Sequence, residues 1–142
     1  MQFVTPEAIA EVMALSPVPH TLAELEALVR DGLPKSALSA GVAHAVSSAE
    51  ARRTLLTSII PEATYKRRRD RLTRDESEKT ERLARVVATA SYVWDDLDDA
   101  RAFLATPHAL LEGRTPLDVA LTELGARRVE ELLWQLFYGL SA

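Results

Sequence analysis

The chain has 142 residues, of which 47% are hydrophobic and 6% aromatic, and it contains no cysteine. This length allows one compact domain or two very small ones, and the apolar content is sufficient to bury a core. The absence of cysteine excludes disulfide bonds and thiolate chemistry.

The formal net charge of −4 is unevenly distributed, with +2 on residues 1–74 and −6 on residues 75–142. A basic front half and an acidic back half indicate different partners for the two halves. The first residues lack the basic and apolar regions of a signal peptide, and no apolar run approaches the roughly 20 residues that span a bilayer. We therefore expect a cytoplasmic protein that does not bind membranes.

The front half carries start and stop signals for several short helices. Thr5, followed by a proline and a glutamate, favours a first helix, and the Ser-Pro-Val-Pro segment at 16–19 ends it. Thr21 and Glu24 have the spacing of a capping box, which predicts a second helix up to about Arg30.

A Gly-Leu-Pro turn at 32–34 separates this helix from an alanine-rich helix predicted over 35–46. Ser47 begins the pattern of a second capping box and a fourth, short helix. A fifth helix is predicted over Glu62–Asp70, after a turn at 57–61. Two short helices joined by a tight turn, the second one basic, are the outline of a helix-turn-helix.

The fifth predicted helix is followed closely by further basic residues, so that six Lys/Arg and a single Asp lie between Lys66 and Arg74. Arginines in succession on a helix cannot all face a core, and the guanidinium fork suits phosphate oxygens and guanine edges. A solvated basic face, or pairing with the acidic back half, is the alternative. The candidate DNA-binding residues are Thr64, Lys66, Arg67, Arg68, Arg69 and Arg71.

The back half is also predicted to be helical. Thr73 and Glu76 form a third capping box before a long helix, whose apolar stripe is predicted to consist of Leu83, Val86, Val87, Ala90, Trp94 and Leu97. Shorter helices are predicted over 98–104, 107–111 and 116–121. No segment alternates with a period of two, so the fold class is all-α. We expect a helix-turn-helix and dimerisation region over 1–73 and a C-terminal domain over 74–142.

The last helix, predicted from Glu123 to Tyr138 and ended by Gly139, has two distinct faces. One apolar stripe should pack inward, and it consists of Val129, Leu132, Leu133, Leu136, Phe137 and Leu140. The other stripe consists of Arg127, Glu131, Trp134 and Tyr138. Trp, Tyr and Arg are favoured interface anchors, so this stripe predicts a partner-binding face unless another part of the chain covers it.

No group of residues indicates catalysis. The acidic run at 95–99 lacks the spacing and the glycine of a calcium-binding loop, and His20, His44 and His108 are scattered. No phosphate-binding loop, dinucleotide-binding glycine motif or nucleophile elbow is present. We expect neither an enzyme nor a metal or cofactor site.

Three C-terminal motifs are Gly-Arg-Thr-Pro-Leu-Asp at 113–118, Gly-Ala-Arg-Arg-Val-Glu-Glu-Leu-Leu at 125–133 and Tyr-Gly at 138–139. In this order they resemble the toxin-binding domain of the Xre/MbcA/ParS antitoxin family, and the resemblance covers roughly residues 98–142. Gly-Leu-Pro-Lys-Ser-Ala-Leu at 32–38 and the stretch 71–86 are similar to the Xre-type front half of that family. The glycine usual at the turn of the helix-turn-helix is missing from residues 57–61.

The resemblance implies an antitoxin encoded beside a RES-domain toxin that degrades NAD. It implies that the C-terminal domain blocks the toxin's active-site cleft and that the front half forms a homodimer and binds operator DNA as an autorepressor. The toxin-binding candidates are Arg114, Thr115, Pro116, Leu117, Arg127, Glu131, Trp134, Tyr138, Gly139 and Leu140. The alternative is a stand-alone helix-turn-helix transcriptional regulator whose C-terminal domain serves only dimerisation.

Overall fold

The secondary structure is helical throughout the part of the chain that the computed structural model describes, residues 4–139, where two isolated β-bridges occur and no strand. This confirms the predicted all-α fold. The helices are α1 (Pro6–Val12), α2 (Leu22–Asp31), α3 (Lys35–Ala45), α4 (Ala49–Ile59), α5 (Glu62–Arg67), α6 (Arg74–Trp94), α7 (Leu97–Ala105), a 3-10 turn (Ala109–Leu111), α8 (Pro116–Val119) and α9 (Glu123–Phe137). No helix within 4–139 is both long and apolar enough to cross a membrane.

The long helix α6 lies at the centre of the fold and contacts α1, α2, α3, α4, α7 and α9. Its middle is buried on nearly every side, which is typical of a helix enclosed by others. Its buried residues in this middle part are Leu83, Ala84, Val86, Val87, Ala88, Thr89 and Ala90. Alanine and valine dominate there, and their small side chains leave room for neighbouring helices.

Side-chain caps define the starts of most helices. The capping box predicted at Thr73 is confirmed: the Thr73 hydroxyl accepts from the Glu76 amide at 3.2 Å, and the Glu76 carboxylate accepts from the Thr73 amide at 2.9 Å. Thr21 caps α2, but the Glu24 carboxylate accepts from the His20 amide and not from that of Thr21.

The capping box predicted at Ser47 is wrong by one residue. The N-cap of α4 is Ser48, whose hydroxyl accepts from the Ala51 amide at 3.0 Å. The two adjacent serines offer the same capping hydroxyl, so the sequence pattern alone does not distinguish them.

The prediction of a helix up to Asp70 is also wrong, because α5 ends at Arg67 and the chain is extended at Arg68. The reason lies in a distant segment. The Lys35 amide donates to the Asp70 carbonyl at 2.8 Å, and the Leu72 amide donates to the Leu33 carbonyl at 2.9 Å. These bonds hold the backbone at 70–72 against the turn between α2 and α3, in a geometry that a helix cannot provide.

The prediction of a turn over 57–61 is wrong at its start, because α4 continues to Ile59 and only residues 60 and 61 separate it from α5. This short turn needs no glycine. Ile60 and Pro61 are both extended, with φ of −134° and −54°, so neither requires the left-handed conformation that glycine supplies. Ile60 is only 1% exposed, so burial in the core anchors this turn.

The long helix ends earlier than its apolar stripe suggested. α6 stops at Trp94, Asp95 takes a left-handed conformation with φ of 53°, and Leu97 is the first residue of α7. Leu83 and Ala90 are buried as expected, but Trp94 is 40% exposed. In place of the helix predicted over 107–111 there is one 3-10 turn.

Two glycine-to-alanine substitutions should have opposite effects on stability. A Cβ on Gly125 would overlap the Val119 carbonyl oxygen where α8 meets α9, so Gly125→Ala should destabilise the protein by about 3 kcal/mol. A Cβ on Gly41, inside α3, would make an ordinary contact of 3.7 Å with Leu83, so Gly41→Ala should stabilise by about 0.5–1 kcal/mol. Urea unfolding followed by circular dichroism measures both, and a neutral Gly125→Ala would contradict this packing.

Candidate functional sites

The candidate DNA-binding residues lie on α5 and on the extended segment after it. Thr64 is half-buried and Lys66 is exposed, with its ammonium 3.2 Å from the Glu62 carboxylate. Arg67 is exposed and donates to the Thr64 hydroxyl at 3.3 Å. Arg69 is exposed and forms no ion pair with the other residues of the described range.

Arg68 is held within the fold. Its guanidinium donates to both carboxylate oxygens of Glu76, with Nε–Oε1 and Nη2–Oε2 distances of 3.0 and 2.8 Å. The hydrogen bonds from Arg68 hold the pKa of Glu76 below its usual range. The same carboxylate caps α6 at Thr73, so Arg68 ties the end of α5 to the start of α6.

Arg71 also bonds within the chain, because its guanidinium donates to the Gly32 carbonyl at 2.7 Å. Lys35 and Tyr65 support this region although the sequence did not single them out. The Lys35 ammonium lies 4.5 Å above the Tyr65 ring and donates to the Arg68 carbonyl at 3.1 Å. The two residues are thirty positions apart, so no local pattern reveals the contact.

The Thr-Pro-Leu motif at 115–117 forms the start of α8. The Thr115 hydroxyl accepts from the Asp118 amide at 3.2 Å, Pro116 is buried, and Leu117 is half-buried against the core. Only Arg114, immediately before it, is exposed. As toxin-binding residues all four stay predictions. Thr115, Pro116 and Leu117 also stabilise the start of α8, through the cap and through burial.

A second arginine–glutamate cluster holds that loop. Glu112, at a left-handed φ of 55°, accepts two hydrogen bonds from Arg128, at 2.6 and 2.9 Å, and one from Arg114 at 3.2 Å. The bonds from Arg128 and then Arg114 lower the pKa of Glu112 to about 2. The carboxylate therefore stays ionised at neutral pH and fixes the exposed Arg114 beside the α9 helix.

The outer stripe of α9 contains the other toxin-binding candidates. Arg127 and Glu131 are exposed, Trp134 is half-buried and Tyr138 is 54% exposed. Gly139 follows the helix with φ of +70°, as expected of a residue that ends it. Leu140 lies outside the described residues.

An exposed aromatic cluster surrounds Trp134. Its ring centroid lies 5.6 Å from that of Tyr92 and 5.5 Å from that of Phe137, and Phe137 is in turn 5.2 Å from Tyr138. Tyr92 is 57% exposed and Phe137 is 42% exposed, so Phe137 does not pack fully inward as its stripe predicted. Tyr92 could not be predicted as a neighbour of Trp134 from spacing along α9, because it belongs to α6.

The outer stripe of α9 also lines a groove of about 1600 Å³. Its opposite wall comes from α1 and α2, where Ile9 and Leu22 contribute, and α6 forms the floor between the walls. The face predicted either to bind a partner or to be covered by the chain is therefore open, with the front half of the same chain across from it.

A partly buried ionic cluster forms part of the groove floor. The Arg85 guanidinium meets three carboxylates, those of Glu81 at 3.2 Å, Glu123 at 3.4 Å and Glu130 at 3.1 Å. Burial raises the pKa of Glu81 and of Glu130. Arg82 also pairs with Glu123, at 3.1 Å, so two guanidinium groups face three carboxylates and the cluster keeps one negative charge in excess.

These features describe an all-α fold with two candidate binding surfaces, one basic and one aromatic. Two family models match successive parts of the chain. Residues 24–85 match the antitoxin Xre-like helix-turn-helix domain, and residues 89–139 match the antitoxin Xre/MbcA/ParS C-terminal toxin-binding domain. The chain is thus similar to antitoxin domains over most of its length, in two successive segments at 24–85 and 89–139.

A curated relative is similar over 84 residues at 37% identity, and it is named antitoxin Xre, from Pseudomonas putida. The similar stretch is 57% of this chain and 53% of that relative, so the match spans about half the length of each.

Neighbouring arginines should differ in their effect on stability. Arg68→Ala should lower the midpoint of unfolding, because Glu76 loses both hydrogen bonds while still capping α6. Arg69→Ala is the matched control, and its free energy of unfolding should stay within about 0.5 kcal/mol of the parent's. Thermal unfolding at pH 7 compares the two, and equal midpoints would show that the Arg68–Glu76 pair does not stabilise the fold.

Proposed function

We propose that this protein is an antitoxin that binds and neutralises a cognate toxin through its C-terminal domain. The observation that carries the proposal is the position of the exposed aromatic cluster within the segment that matches a toxin-binding domain. Tyr92, Trp134, Phe137 and Tyr138 form the exposed aromatic cluster, and all four lie within residues 89–139, which match a toxin-binding domain. Exposed aromatics that are partly held by one another suit a protein interface, because they bury much area with little loss of side-chain freedom.

The toxin that we propose is a RES-domain protein that degrades NAD, as the family resemblance implies. Neutralisation by occlusion requires only a tight contact over the active-site cleft and no catalytic group on the antitoxin. The contact would centre on the outer stripe of α9 and include Arg114, which Glu112 holds beside it. The toxin-binding domain match favours this function over a stand-alone transcriptional regulator.

The front half is proposed to bind operator DNA as a homodimer and so to repress its own operon in the cytoplasm. The match of residues 24–85 to a helix-turn-helix domain supports this role. We assign the phosphate contacts first to Lys66, Arg67 and Arg69, whose side chains are exposed, and base reading to Thr64. Arg68 and Arg71 remain candidates, but their guanidinium groups already bond within the fold.

Trp134→Ala should weaken the toxin complex at least tenfold, because a central aromatic anchor is lost. The probe is the protein encoded by the adjacent gene, and calorimetry or co-purification with mass measurement reads the affinity. Trp94→Ala is the matched control, since Trp94 is 40% exposed and does not line the groove. An unchanged affinity for folded Trp134→Ala would refute the assigned surface, and failure of the parent protein to bind or to rescue growth would refute the function.

Arg67→Ala combined with Arg69→Ala should reduce the affinity for DNA from the operon's own promoter. The slope of log affinity against log salt concentration should become shallower by about 1.8, because each phosphate contact contributes about 0.9. Arg30→Ala combined with Lys79→Ala removes the same charge away from α5 and should leave the slope unchanged. A salt-independent parent affinity, or equal slopes for both double variants, would contradict the DNA contact.

A further inference from the structure

The two walls of the groove belong to different parts of the chain. Trp134 and Tyr138 of α9 lie in the residues that match the toxin-binding domain, whereas Leu22, at the start of α2, precedes both family matches. Leu22 is nonetheless 67% exposed, which leaves a large apolar side chain on the wall opposite α9. A surface that ended at the C-terminal domain would leave this wall without a role.

The dimensions of the groove favour a polypeptide as its occupant. Its volume of about 1600 Å³ exceeds the roughly 300–1,000 Å³ of sites that take small molecules. Apolar and aromatic side chains face each other across it, which is the arrangement that receives an amphipathic segment of a partner.

The charge of the groove indicates which side chains the bound segment carries. Six glutamates and four arginines line the groove, an excess of two negative charges. Glu81 and Glu130 on the floor are paired with Arg85, whereas Glu26 and Glu131 on the two walls are exposed and form no ion pair with other residues of 4–139, so positive charge is favourable beside the walls. The aromatic wall would also attract a cation, since ring faces bind guanidinium and ammonium groups.

We propose that the toxin is bound between the two halves of the chain, by a toxin segment that carries apolar and basic side chains and lies in this groove. The segment contacts Leu22 and Glu26 of α2 as well as Trp134 and Tyr138 of α9. This inference rests on the proposed antitoxin function, and it extends the contact surface beyond the C-terminal domain.

The first test compares two leucines by calorimetry with the adjacent gene's protein as probe. Leu22 and Leu124 are 67% and 70% exposed, and each lies in the first turn of a helix, but only Leu22 lines the groove. Leu22→Ala should weaken binding at least fivefold, and Leu124→Ala should not change it. Because both side chains are exposed, the two variants should keep the parent's circular dichroism spectrum and melting curve.

The second test reverses one charge on the front half. Glu26 lines the groove, while Glu11 is exposed on α1 and does not. Glu26→Lys should weaken binding and make it less dependent on salt, whereas Glu11→Lys should leave both unchanged. If Trp134→Ala weakens the complex while Leu22→Ala and Glu26→Lys do not, the toxin contacts α9 alone and this inference is wrong. If the parent protein does not bind the probe, the antitoxin function itself fails.

Discussion

The burial of α6 is the constraint on which the rest of the structure depends. Residues 83–90 of this helix are covered by neighbours on nearly all sides, and six other helices pack against it. The two family matches end and begin inside it, at residues 85 and 89. Since many of the buried residues belong to this one helix, the two halves share a core.

The arginines of this protein divide into those that hold the chain together and those that face solvent. Arg68 and Arg128 each give two hydrogen bonds to a glutamate, Arg85 collects three carboxylates, and Arg71 bonds a carbonyl. The guanidinium fork suits such bidentate pairing with carboxylates. The basic stretch after residue 65 therefore presents less free positive charge than its composition suggests, and exposed Arg69 gains importance for the proposed DNA contact.

The aromatic cluster and the groove are consequences of the same packing. α9 lies on one side of α6 and α1–α2 lie on another, so a space remains between them, with the outer stripe of α9 along one wall. Tyr92 reaches Trp134 and Phe137 because α6 carries it to the same end of the molecule. The proposed toxin-contacting surface therefore depends on the relative placement of helices that are far apart in sequence.

Local chemistry was sufficient to predict the helical class, the caps at Thr5, Thr73 and Thr115 and the outer stripe of α9, because spacing and capping residues act within a few positions of one another. The end of α5 was decided by tertiary structure, since the backbone hydrogen bonds from the Lys35 amide to the Asp70 carbonyl and from the Leu72 amide to the Leu33 carbonyl outweigh the local helical preference. Tertiary structure also decided the groove, the Arg85 cluster and the position of Tyr92. Each of them joins side chains from separate helices, and no local sequence pattern predicts which helices lie next to each other.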